Sequence, residues 1–214
     1  MEIFADPITI NSRKVLAGMQ FLAVEYTLMP LNFFEGGHKA PDYLAINPNG
    51  SVPALRDGNF VLWESNAILQ YAAEKNGRSD LYPTDLQARA DVNRWLLWES
   101  STWMPTCYLY VVENCAKPLL GESTDPAALA NEAENFALRA GVLEARLASS
   151  KWLCGDSPTI ADIAVAAPMH LHRWAKLPLD GYPNLIRWMT EEIEQLPAWK
   201  ATNIDEGFVL NPLT

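Results

Sequence analysis

A small α/β unit followed by an all-helical one is the architecture that this sequence predicts, and three observations carry it. Strand and helix signals alternate through the first part of the chain and end in a hairpin around Asp57-Gly58. The stretch RSDLYPTDL, residues 78–86, is polar and proline-bearing and reads as a linker. Beyond it, residues 87–200 show helical periodicity almost throughout and hold seven of the eight tryptophans. The expected division is therefore residues 1–77, a linker over 78–86, and a helical part over 87–214.

Each element has its own signal. Residues 1–5 form a short apolar strand. A helix follows from Ser12, with Val15, Leu16, Met19 and Leu22 spaced by three and four. A second strand fits residues 24–31, and a loop carries Glu35, Gly36, Gly37, His38 and Lys39. Residues 52–55 and 60–63 flank the Asp57-Gly58 turn as a hairpin. A helix then runs from Ser65 to Lys75 and stops near Gly77. This order implies a mixed sheet with flanking helices. In the second part, Val92, Trp95, Leu96, Glu99 and Trp103 share a helix face, and Pro105 is expected to kink that helix. A long helix spans residues 125–147. Thr159-Ile160-Ala161-Asp162 has the form of a capping box, with Asp in place of Glu, ahead of an apolar run.

Pro53 does not fit its surroundings. It falls in NPNGSVPAL, residues 47–55, at the start of an apparent strand, where its missing N–H would interrupt a ladder. Either that strand lies at the edge of the sheet, or the residues before the proline face something other than a neighbouring strand.

Composition removes several functions. Hydrophobic residues make up 49% and charged residues 20% of the 214, the balance of an ordinary globular protein. No apolar run is long enough for a transmembrane helix. The first residues, MEIFADPITINSRKV, carry acids where a secretory signal needs bases and then an apolar stretch, so a cytoplasmic place is expected. A formal net charge of -10 repels phosphate backbones and argues against nucleic acid as a partner. Cys107, Cys115 and Cys154 show no C-x-x-C pair and read as buried hydrophobes. His170 and His172, two apart on a helical stretch, do not share a face, so no metal site is expected.

The combination of NPNGSVPAL, LWESNAI, SPTIADIAV and the late stretch YPNLIRWMTEEIEQLPAWK resembles the cytosolic glutathione S-transferase superfamily, over nearly the whole chain. That resemblance implies a thioredoxin-like first domain with a four-stranded mixed sheet, an all-α second domain, and a homodimer. It implies glutathione as co-substrate, with no permanently bound cofactor, and a detoxifying transferase activity. It also offers an answer for Pro53. In thioredoxin-like folds the bond before this proline is cis, and the Val52 backbone pairs with the cysteinyl part of glutathione.

The resemblance distributes the tripeptide over the first domain. Ser65, opening a helix, holds the γ-glutamyl carboxylate, and Glu64 takes the α-ammonium group. His38 and Lys39 take the glycyl carboxylate. The family often has Gln where Ser51 stands, and the serine is shorter. The loop Asp6–Arg13 carries the residue that meets the sulfur. No Tyr precedes Tyr26 and no Cys precedes Cys107. Thr9 aligns with the hydroxyl of the serine classes, and Thr9-x-Asn11 resembles a bacterial class using both residues. Ser12 is expected to cap the helix instead. The second substrate is expected to be an apolar electrophile in a pocket between the domains, lined by Ile8 or Ile10 with Trp103 and Tyr108. Glutathione-dependent disulfide or peroxide reduction without a protein Cys is a variant reading of the same residues. A non-catalytic binding or regulatory protein on the same fold is the alternative from another class.

Overall fold

In the computed structural model, which describes residues 1–204, the strands β1 (Glu2–Ala5), β2 (Thr27–Pro30), β3 (Ala54–Asp57) and β4 (Phe60–Trp63) form one sheet in the order β2-β1-β3-β4. β1 pairs in parallel with β2 and antiparallel with β3, placing Phe4 opposite Met29 and Ala54. β3 and β4 are the expected hairpin. The chain divides into two compact units, Met1–Thr84 together with residues 196–204, and Asp85–Gln195.

In the first unit, helices α1 (Ile10–Phe21), α2 (Pro41–Leu44) and α3 (Ser65–Lys75) accompany the sheet. Ile3, Ala5, Val15, Met19, Leu55, Ile68 and Leu69 have no exposed surface and form the core. A Cβ at Gly18 would overlap the Leu69 side chain, so α1 and α3 pack closely there. α1 begins at Ile10 rather than at Ser12, and Ser12 is fully buried in its first turn instead of capping it. The expected second strand shortens to four residues because its outer positions find no ladder partners.

β3 is an inner strand, so the edge-strand explanation for Pro53 fails. The ladder begins at Ala54, one residue past the proline. The Val52-Pro53 bond is cis, as expected from the resemblance.

The second unit holds α4 (Leu86–Trp98), α5 (Met104–Val111), the single turn α6 (Lys117–Leu119), α7 (Pro126–Ala148), α8 (Ile160–Ala166) and α9 (Pro183–Arg187). The shorter α10 (Pro197–Lys200) belongs to the first unit. Asp85 and Asp125 cap α4 and α7 by accepting the N–H groups two and three residues on. The distortion expected at Pro105 takes the form of a π-helical turn over Glu99–Trp103, just ahead of a residue that has no N–H to return. The predicted face is buried in full: Val92, Trp95, Leu96, Glu99 and Trp103 are each at most 5% exposed.

Before α8 the capping box is present. Ala161 N–H donates to Thr159 Oγ1 at 3.2 Å, and Thr159 N–H donates to Asp162 Oδ2 at 2.9 Å. Asp162 also accepts from Leu153 N–H at 3.0 Å and Trp188 Nε1 at 3.3 Å. Among the described residues, no helix is long and apolar enough to cross a membrane.

Candidate active site

The first unit brings the mouths of two helices and one tight turn together. Thr9 is the N-cap of α1, with φ −80° and ψ 142°, yet its side chain caps nothing. The hydroxyl turns back instead, 3.0 Å from the Asp6 carbonyl oxygen and 2.7 Å from Ser12 Oγ. Half-buried Asn11 is on the first turn of α1, and its Oδ1 accepts from Ser65 Oγ at 3.4 Å. Ser65 is the buried first residue of α3, and its hydroxyl accepts from the Lys14 ammonium at 3.1 Å. The residue that aligned with the sulfur thus neighbours, through Asn11, the residue assigned to the γ-glutamyl carboxylate.

Glu64 is exposed and lies at φ 75°, ψ 110°, a region L-residues rarely occupy. Holding a non-glycine residue there costs about 1–3 kcal/mol and is a conformation that clusters at ligand sites. It is the single residue between the end of β4 at Trp63 and the start of α3 at Ser65.

At the turn before Pro53, one carbonyl gathers two donors. Tyr43 hydroxyl donates to Ser51 O at 2.5 Å, and Asn47 Nδ2 donates to the same oxygen at 2.7 Å. Burial pushes the Tyr43 phenol up to about 12, so it remains a donor at any physiological pH. Ser51's side chain is exposed, and Val52 packs with Phe4, Tyr43 and Ala54. Lys39 is exposed, and its ammonium donates to Gly50 O at 3.1 Å. Gly50 stands at φ +56°, a conformation that favours glycine. His38 stacks on Phe33 with ring centroids 4.1 Å apart.

Four residues that no local pattern marks also shape this region. Asp6 is buried, and its carboxylate takes Ile8 N–H at 3.2 Å and Phe33 N–H at 2.8 Å. It therefore ties the loop bearing Thr9 to the loop bearing His38 and Lys39. Lys14 places a buried cation under the mouth of α3. Tyr43 and Asn47 clamp the turn that leads to Val52. An acid just after a strand, or an Asn in a turn, was visible, but partners as far as 51 residues apart were not.

The residues expected to line an electrophile pocket fare differently. Ile10 is 5% exposed, directly after Thr9, and Tyr108 is 50% exposed on α5. Trp103 has no accessible surface. Its indole N–H donates to Val165 O at 3.1 Å, and its ring stacks on Trp98, so its place is in the helical core. Cys107 and Cys115 are buried, as read from composition, and burial raises both thiols, Cys115 to about 12.

A thioredoxin-like sheet with a cis-proline turn, joined to a helical unit that carries a capping box before α8, defines the architecture of the cytosolic glutathione transferases. Residues 2–74 match the family model for the glutathione S-transferase N-terminal domain, and residues 111–197 that for the C-terminal domain. A probable glutathione S-transferase of Oryza sativa subsp. japonica is 33% identical over 95% of this chain and 96% of its own. A glutathione S-transferase of Hyoscyamus muticus is 34% identical over 93% and 95%. Among solved structures, a theta class enzyme from Xanthomonas axonopodis pv. citri with glutathione bound superposes with a TM-score of 0.83, at 30% identity over 95% of this chain and 97% of that one. Glutathione S-transferase I from maize, in complex with an atrazine glutathione conjugate, gives 0.85 at 27% identity over 100% and 99%. The chain belongs to the glutathione S-transferase family.

Proposed function

We propose that this glutathione S-transferase binds glutathione extended across the first unit and holds its sulfur as a thiolate beside Thr9, for attack on a small apolar electrophile. The observation that carries the reading is the Thr9 hydroxyl, which stands at a helix mouth without capping it. Its oxygen takes none of the first N–H groups of α1, which leaves those donors for an incoming anion.

The energetics are sufficient without a general base. A free thiol with pKa about 8.5 is only a few per cent ionised at neutral pH. Lowering it by two units takes about 2.7 kcal/mol. One hydrogen bond to a charged acceptor contributes about 1.5–3 kcal/mol, and a helix N-terminus adds about 0.3–1 kcal/mol. Thr9, aided by the Asn11 amide and the α1 dipole, covers the requirement. The Val52 backbone, outside the ladder, receives the cysteinyl residue. Ser65, with the Lys14 ammonium beneath it, and Glu64 receive the γ-glutamyl end. Lys39, His38 and Ser51 line the glycyl end. Ile10, directly after Thr9, is the residue of this unit left for the electrophile.

The test is a titration of thiolate absorbance for glutathione bound to the wild type and to Thr9→Ala. The variant is expected to raise the bound thiol's pKa by about one to two units, the loss of one charge-assisted bond. An unchanged titration removes Thr9 from the sulfur.

A homodimer in the cytoplasm is part of the same reading, and detoxification of electrophiles is the role it serves. The dimer is supported by edge strand β4, which presents Phe60, Val61 and Trp63 at 36–47% exposure. Sedimentation of wild type and Trp63→Glu checks it: the wild type is expected to run as a dimer and the variant to shift toward monomer.

A further inference from the structure

We infer that Ser12 is a positioning residue for thiolate formation: its buried hydroxyl turns to donate to Thr9 when Thr9 donates to the sulfur, making a two-hydroxyl relay. This rests on the reading of Thr9 above and deepens it.

The argument is a count of hydrogens. Thr9 Oγ1 lies 2.7 Å from Ser12 Oγ and 3.0 Å from Asp6 O, and donates toward both. A hydroxyl has one hydrogen, so only one of these bonds exists at a time. A sulfur anion beside Thr9 claims that hydrogen and leaves both internal acceptors without it. The Asp6 carbonyl keeps the Thr9 backbone N–H at 3.0 Å, so it remains satisfied. Ser12 has no such alternative. Its side chain has no exposed surface, and among the described residues its hydroxyl is paired with Thr9. A buried hydroxyl left unpaired is costly, and the lone pairs of Thr9 Oγ1 are the acceptor within reach. Rotation about the Ser12 Cβ–Oγ bond moves its hydrogen onto Thr9 with no heavy atom displaced.

The reversal has a chemical consequence. A hydroxyl that accepts a hydrogen bond becomes a stronger donor through its own hydrogen, because the two bonds polarise each other. Ser12 thereby strengthens the bond from Thr9 to sulfur and holds the Thr9 oxygen where that bond forms. It does not touch the sulfur itself, since it is closed off from any ligand. Burial of a small residue in the first turn of α1 would, by contrast, give Ser12 a packing role with no link to ionisation.

The experiment is a double-mutant cycle on purified enzyme with glutathione as the probe, reading the bound thiolate titration and the melting temperature. Ser12→Ala is expected to raise the bound thiol's pKa by about half a unit, about a threefold loss of thiolate below the pKa, with melting little changed. In a Thr9→Ala background the same substitution is expected to add nothing, because the relay has already lost its outer member. If Ser12→Ala leaves the titration unmoved while Thr9→Ala shifts it, the relay is wrong and the Thr9 assignment stands. An equal shift from Ser12→Ala with and without Thr9 also overturns the relay. If neither substitution moves the titration, the Thr9 assignment itself is lost.

Discussion

Thr9 and Thr159 hold the same post, the residue before the first turn of a helix, and use it in opposite ways. Thr159 gives its oxygen to the Ala161 N–H, and Asp162 returns the favour to the Thr159 N–H. That mouth is closed, satisfied and wholly inside the protein. Thr9 has an extended backbone too, but its hydroxyl faces Asp6 O and Ser12 Oγ, and the mouth of α1 keeps its donors. The first turn of each helix decides the difference. Asp162, three residues past Thr159, supplies a carboxylate to lock the box, whereas three residues past Thr9 stands Ser12, which cannot reach back as a carboxylate does. A helix mouth is a device for stability when its cap is complete, and a place for an anion when the cap is withheld.

The largest effect expected from this contrast is at Asp162, which accepts from Leu153, Thr159 and Trp188 at once. Asp162→Ala leaves those buried donors unpaired and is expected to cost about 3–5 kcal/mol, read as a lower denaturation midpoint. A change below about 1 kcal/mol would mean the box is ornamental in this chain.

The charge on Asp162 gives a second, smaller expectation. Burial pushes its carboxyl up to about 6, outweighing the pull of its donors. In the unfolded chain such a group titrates near 4, so between about pH 4 and 6 the folded state binds the proton that the unfolded state has released. Its contribution to stability is therefore fullest below about pH 4 and is lost as pH rises through about 6. The advantage of the wild type over Asp162→Ala is expected to shrink over that interval by up to about 2–3 kcal/mol, from denaturation at several pH values. An advantage that grows with pH would show the donors winning over burial.

The two helix mouths also differ in how far they were legible. Thr159 and Asp162 are three residues apart and precede an apolar run, so the box could be read directly. The hairpin and α3 were equally plain, because a DG turn and helical spacing are local signals, and α3 runs from Ser65 to Lys75 as expected. Thr9 could be singled out only by resemblance. What surrounds it depends on long-range meetings: Asp6 with Phe33, Lys14 with Ser65, Tyr43 with Ser51. Ser12 was expected to cap α1, and the helix instead starts two residues earlier and buries it. Trp103 looked like a pocket residue for the same reason that it is a core residue, since a large apolar side chain on a helix serves either, and only its neighbours decide.

The smallest expected effect is the sharpest test of the comparison, because it makes one substitution in both places. Thr159→Ala deletes a cap oxygen and is expected to cost about 1 kcal/mol. Thr9→Ala deletes a hydroxyl that caps nothing, and its bonds to Asp6 O and Ser12 are alternatives sharing one hydrogen. The Thr9 backbone N–H stays on Asp6 O at 3.0 Å and Arg13 N–H stays on Thr9 O at 2.9 Å, so α1 keeps its start. In a Ser12→Ala background, which leaves no buried hydroxyl without its partner, alanine at this position is expected to change stability by less than about 0.5 kcal/mol, while raising the pKa of the bound thiol. Urea denaturation of the two variants side by side reads the difference. Equal losses would place the Thr9 hydroxyl in the scaffold, and the helix mouth at α1 would then be as closed as the one at α8.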